Sequence, residues 1–300
     1  MQDKFNEIGL RLDISNTPIT WGGDPVFQMT INRTPRGIPR EEWFEMFIPA
    51  NAKVEVIATD EKRQQVVVSV QEEANTFETD PTAFYPVNGR KSTEEEREIF
   101  FTEFINRMNR FTNEIKRSDI VQNEKGKWVI MRHSPARKRH FLMGKDERQL
   151  FICQLPTLAK TIQEAFQSLK HPTVILAEGK NKNVIRQGEW FFINATGLEM
   201  EKIKLLLSSN KIDIKHNQNI GAIVADRAFV QGNPHTADEI VVIPAKMIIR
   251  GFTPARENEI FVRGCVRHHD HKTIVCGNWR KVLRNTEVED TSAAITGWID

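Results

Sequence analysis

Apolar and polar positions alternate strictly over residues 26–32, where Phe27, Met29 and Ile31 oppose Val26, Gln28 and Thr30. A period of two is the mark of a strand with one buried face. Residues 43–49, 53–58 and 64–71 continue the pattern. Turn chemistry separates these runs: Gly-Gly and Asp-Pro at 21–25, two prolines and a glycine within 34–39, Pro49-Ala50-Asn51, and a charged tetrad at 60–63. Short strands at about ten-residue spacing predict a β-rich barrel or sandwich over residues 1–90.

The period changes after a Pro- and Gly-containing connector at 80–92. Phe101, Phe104, Met108, Phe111 and Ile115 recur at helical spacing and predict a long amphipathic helix. Ser92 with Glu95, and Thr93 with Glu96, both fit a capping box at its start. Lys116 and Arg117 suit its last turn. Such a helix packs on its own domain or forms a seam with a partner.

From residue 125 onward strand patterns return, at 127–132, 139–144, 149–156, 173–178 and 189–193. Thr157 is a cap candidate for a helix carrying Leu158, Ile162, Phe166 and Leu169. A second helix carries Leu198, Ile203, Leu206 and Leu207, and residues 211 onward read mostly as strand and turn. Strands outnumber helices and do not alternate with them, so the expected class is α+β, not a doubly wound parallel sheet. Three regions follow: a β-rich domain at 1–90, helix and connector at 91–124, and a larger strand-rich α+β region at 125–300.

Charge adds a contrast. Residues 1–124 hold 15 Lys+Arg against 22 Asp+Glu, a net −7, whereas residues 125–300 hold 27 against 18, a net +9. An anionic partner for the second part, or attraction between the two parts, would account for it. The chain shows no signal-peptide pattern and no apolar run long enough to cross a membrane. Its three cysteines do not form a disulfide framework, and a reducing cytoplasm is the expected location.

Residues 259–285 contain the densest chemistry. Two strand-like runs flank His268-His269-Asp270-His271-Lys272, which predicts a hairpin with that polar run at its tip. A turn centred between Asp270 and His271 would set Cys265 opposite Cys276 on one face. Imidazole, carboxylate and thiol are all metal ligands, so one reading of the run is a site for a divalent metal, while the cofactor itself is left open. Strand alternation would let His269 and His271 share an ion and exclude His268. Alternatively His268, His269, Asp270 and His271 form a catalytic tip, with Arg267 and Lys272 holding phosphate oxygens. A solvated polar turn is the plain alternative.

A second stretch, 125–148, holds eight Lys+Arg against two Asp+Glu. Ser134-Pro135-Ala136 marks a turn that would crowd Arg137, Lys138, Arg139 and His140 at one hairpin end, suited to a nucleic-acid backbone. Gly188 predicts a turn before the strand at 189–193, beside Glu189, a candidate general base. No GxxxxGK[ST] loop, GxGxxG fingerprint, GxSxG elbow or HExxH occurs, so nothing supports Walker-type ATP hydrolysis, dinucleotide redox or serine hydrolysis.

The leading expectation is therefore a nucleic-acid-binding protein that processes the phosphodiester backbone through the histidine run. A non-catalytic assembly subunit, binding a protein partner or itself, and a metal-dependent enzyme on a small molecule are the alternatives. No membrane partner is expected.

Overall fold

The alternation at 26–32 becomes a strand in a three-stranded sheet. Helix α1 (Gln2–Glu7) precedes β1 (Leu12–Ser15), β2 (Gln28–Arg33) and β3 (Glu42–Phe47). β3 is central, antiparallel to β2 and parallel to β1. The computed structural model describes residues 1–19, 26–35, 38–79, 93–108, 116–147, 149–224, 235–269 and 271–288. Among these the chain forms two units. One comprises residues 1–145 and 150–165 with the segment from Val288; the other comprises 146–149 and 166–287. No described helix is long and apolar enough to cross a membrane.

In the first unit β4 (Ala52–Asp60) and β5 (Gln65–Glu72) form a hairpin. α2 (Glu94–Met108) and the strands β6 (Asn75–Thr79), β7 (Ile120–Gln122) and β8 (Trp128–Ser134) come next in a third sheet region, before β9 (Arg137–Asp146) and β10 (Gln149–Gln154). A four-stranded sheet runs β10-β9-β5-β4, and a three-stranded one runs β6-β8-β7. Phe27, just before β2, and Met29, Phe44 and Met46 from the first sheet share one core with Val66, Val68, Val70, Phe141 and Met143 from the four-stranded sheet. The expected strands and a common core are present, but the described pairings close no barrel.

A helix, α2, stands where the long amphipathic one is expected, but that longer helix is not shown among the described residues. α2 covers 15 residues, and Phe101 and Phe104 of its stripe pack on Ile120 and Ile130. Ser92, Phe111 and Ile115 lie outside the described residues. The capping box at Thr93 and Glu96 is reciprocal: Glu96 N–H donates to Thr93 Oγ1 at 3.2 Å, and Thr93 N–H donates to Glu96 Oε2 at 3.0 Å.

The hairpin expected around Ser134-Pro135-Ala136 is not formed. β8 pairs with β6 and β7, whereas β9 pairs with β5. The Pro135 segment thus passes the chain from one sheet to another. Proline cannot donate to a ladder, which suits such a crossing.

The second unit is built on a six-stranded sheet. Its elements are α3 (Ile162–Ser168, which begins in the first unit), α4 (Pro172–Gly179), β11 (Val184–Gln187), β12 (Trp190–Asn194), α5 (Gly197–Ser208), β13 (Lys215–Asn219), α6 (Ile220–Val224), β14 (Thr236–Ile243), β15 (Glu259–Arg267) and β16 (Ile274–Arg284). Strand order is β11-β12-β16-β15-β14-β13, antiparallel throughout. Alternation gives the sheet two apolar faces. Trp190, Phe192, Ile240, Val262, Cys276 and Val282 pack with Ile220 on one face. Phe191 and Ile193 meet Val174 and Ala177 of α4 on the other, where Val241, Phe261 and Trp279 meet Ile203 and Leu206 of α5.

Two local expectations are corrected. Residues 173–178 form α4 and not a strand. Pro172 sits at the start of the helix, where no N–H is required, and the His171 ring accepts the Thr173 N–H at 3.1 Å. Val174 and Ala177 lie three apart and both bury, a helical spacing that a continuous apolar run conceals. The α3 cap is Thr161, not Thr157: its Oγ1 accepts the Glu164 N–H at 3.0 Å.

Candidate metal centre

Val266 and Ala237 are buried on the face that carries Trp190 and Phe192. Two residues further toward the same end of the sheet stand His268, just beyond β15, and His235, just before β14. Strand parity therefore aims both imidazoles toward the same side as the core. His271 enters from the far side of the β15–β16 connection. The three rings converge: one ligand-capable atom from each lies within 4.8 Å of the others. His235 is 3% exposed, His268 7%, and the His271 side chain 4%.

The rings lie face to face. His235 and His268 centroids are 4.2 Å apart with planes at 19°, and His271 lies 4.8 Å from His268 and 5.8 Å from His235. Trp190 meets His235 edge-on at 6.4 Å and walls the cluster with an apolar surface. Three imidazolium charges cannot share so small and dry a space. Burial first, and then the neighbouring His268 and His271, push the His235 pKa down to about 3. His235 is thus neutral at pH 7 and keeps an unprotonated nitrogen.

The Nε2 atoms of His235 and His271 are buried and have no hydrogen-bond partner among the described residues. Both face the turn between β11 and β12. A Cβ added to Gly188 would lie 3.2 Å from His271 Nε2 and 3.6 Å from His235 Nε2. Gly188 has φ +56, a left-handed conformation that suits this two-residue turn. Only a residue without a side chain leaves the space beside these two nitrogens open. The turn is tied to the histidine loop by Gln187 Nε2, which donates to Lys272 O at 2.7 Å.

No known protein family, characterised protein or solved structure matches this chain. The site therefore stands on its own geometry.

The expected residues are sorted differently from the sequence reading. His268 and His271 converge, whereas His269 is exposed and outside the cluster; the pairing of His269 with His271 is corrected. The physical reason is that the strand ends at Arg267. Beyond it the chain turns, period-two alternation stops, and positions three apart fall on one side. His268 and His271 are buried, so the run is not a uniformly solvated tip. Asp270 lies outside the described residues. His235 was missed because it stands 33 positions from His268 and carries no local signal beyond its parity with Ala237.

The cysteines are also corrected. Cys265 pairs with Val275 and Gly264 with Cys276, because the register shifts between Val262 and Gly264. A one-residue difference in register places the two thiols on opposite faces. Cys276 is buried, with its pKa raised by burial, and Cys265 is half-buried.

The basic residues expected at a nucleic-acid surface are largely engaged. Glu72 Oε2 receives Arg137 Nε at 2.8 Å and Arg139 Nη2 at 2.5 Å, and Glu72 Oε1 accepts the Phe27 N–H at 3.1 Å. Arg139 is buried between Phe27 and Phe141. His140 is buried too; its Nδ1 lies 3.0 Å from the Ala159 N–H, and burial lowers its pKa. Arg267 is paired with Asp238, which also accepts the Cys265 N–H at 2.7 Å. Lys138 and Lys272 are exposed.

Proposed function

We propose that this protein binds a divalent transition metal through His235, His268 and His271, and that the metal supports its chemistry. The observation that carries the reading is the convergence of three buried imidazoles, His235 from just before β14 and His268 and His271 from the β15–β16 connection, two of them with Nε2 atoms that lie beside Gly188 and have no hydrogen-bond partner among the described residues. Three imidazole nitrogens suit zinc, copper, nickel, cobalt or ferrous iron, and not magnesium or calcium. Tetrahedral zinc, with bonds of about 2.0–2.1 Å, needs nitrogens about 3.3 Å apart. The three ligand atoms already lie within 4.8 Å of one another, and rotation of their side chains would bring them toward that spacing. A three-histidine set leaves a fourth position for water or substrate, where a metal polarises a bound oxygen or lowers the pKa of bound water. The class of reaction is then metal-assisted attack on a polar small molecule.

The test is metal content and uptake. Protein purified without chelators should carry about one zinc, or a competing first-row metal, per chain by elemental analysis. Protein stripped with chelator should rebind one cobalt(II), and alanine at any of the three histidines should abolish it. A chain that holds no metal and takes up none at micromolar concentration overturns the reading and leaves a buried imidazole stack.

Nucleic-acid binding would rest on the exposed Lys138 and Lys272, since Arg137 and Arg139 are turned onto Glu72. Its test is retention of labelled RNA or DNA with a steep dependence on salt.

A further inference from the structure

Resting on the three-histidine reading, we infer that Glu147 is a positioning residue of the metal centre: its carboxylate holds the Nδ1 side of His271 and so presents Nε2 to the metal.

Three observations converge on it. His271 Nδ1 faces Glu147 Oε2 at 3.9 Å, while His271 Nε2 faces Gly188 on the other side of the ring. The two nitrogens of one buried imidazole are thereby divided between a carboxylate and the cluster. This is the arrangement by which ligating histidines are oriented: the ring N–H donates to a carboxylate, which fixes the tautomer and raises the basicity of the opposite nitrogen. A rotation of the half-exposed Glu147 side chain shortens the contact to a hydrogen bond when the ring is drawn onto an ion.

Second, Glu147 occupies a left-handed backbone position, with φ +51. Glycine or asparagine is the usual occupant of such a position, and a side chain there costs roughly 1 kcal/mol. A glutamate at this point places a carboxylate where glycine would place nothing.

Third, the turn that carries it is anchored. Residues 146–149 belong to the second unit, and Asp146 Oδ2 lies 3.5 Å from Arg186 Nη2 at the end of β11. That strand leads directly into Gly188. The carboxylate and the glycine turn therefore reach His271 from a shared support.

The experiment is cobalt(II) titration of the full-length chain stripped of metal, followed by absorbance and by competition with a chromophoric chelator. Glu147→Ala should weaken cobalt(II) binding by about 10- to 100-fold. Glu147→Gln, which still accepts a hydrogen bond, should recover most of that loss. In the metal-free protein, nitrogen-15 NMR of the imidazoles should show His271 as the Nδ1–H tautomer, and Glu147→Ala should shift it toward Nε2–H. A merely structural role would not move that tautomer. Glu147→Ala binding cobalt(II) as tightly as the unaltered chain, with the tautomer unchanged, overturns this inference alone. Failure of the unaltered chain to bind cobalt(II) overturns the three-histidine reading and this inference with it.

Discussion

Two stretches of this chain look alike as sequence: 125–148 and 259–285 both set histidines among arginines and lysines between strand patterns. The fold uses them in opposite ways. In the first, Arg137 and Arg139 turn inward onto Glu72, and His140 serves the backbone of Ala159. Opposite charges meet in a buried setting, and the result is architecture. In the second, like groups meet. Three imidazoles are buried together, with only the half-exposed Glu147 carboxylate beside His271 at 3.9 Å, and two of their Nε2 atoms have no hydrogen-bond partner among the described residues. Burying a polar group without a partner costs free energy, so a cluster that retains such groups invites a ligand. The residue types hardly differ between the stretches; what differs is whether a complementary charge waits inside.

Removing that charge should give the largest effect. Glu72→Ala removes the buried carboxylate on which Arg137 and Arg139 converge, and should cost about 3–5 kcal/mol in denaturant unfolding. A loss below about 1 kcal/mol would show that the Glu72 cluster is not the structural counterpart of the histidine site.

His235→Ala should do the reverse. It should eliminate cobalt(II) binding, a loss beyond the roughly 100-fold that outer positions contribute, while leaving the metal-free protein at least as stable. Large destabilisation of the metal-free variant would make the stack structural and erase the contrast.

Acid should act on the same ring. The folded pKa of His235, about 3, lies below the value of 6.5 for an unperturbed histidine. The unfolded chain therefore binds more protons between those values. Stability of the metal-free protein should be complete above about pH 6.5 and fall as pH drops toward 3. His235→Ala should flatten that slope in urea titrations at several pH values; an unchanged slope would assign the acid sensitivity elsewhere.

Gly188→Ala should cost about 1–2 kcal/mol through its left-handed backbone, and should also weaken cobalt(II) binding by crowding both Nε2 atoms. Unaltered metal affinity would place the ion away from this turn. The smallest effect belongs to exposed His269: alanine there should leave cobalt(II) affinity unchanged and stability within about 0.5 kcal/mol.

Much of this was legible from local pattern. The strands at 26–32 and 64–71, the Thr93–Glu96 cap and the Gly188 turn follow from alternation, capping chemistry and glycine's conformational freedom, all of which act over a few residues. The stretch at 259–285 also announced itself by composition. Local pattern failed where partners are distant or where regular structure stops. Residues 173–178 look equally apolar in a strand or a helix, and only packing of Val174 and Ala177 on Phe191 and Ile193 selects the helix. The cysteine register turned on a shift at Gly264, where φ is +85 and a Cβ would strike Asp238 of the neighbouring strand.

By itself, then, the sequence determined an α+β chain with several short strands and marked His268 and His271 as chemically distinctive. Only the tertiary structure decided that His268 replaces His269, that His235 joins from another strand, and that the arginines of 137–139 face inward. The reason is physical: hydrogen-bond caps and side-chain alternation are encoded within a few positions, whereas burial and charge pairing depend on which distant residue the fold brings alongside.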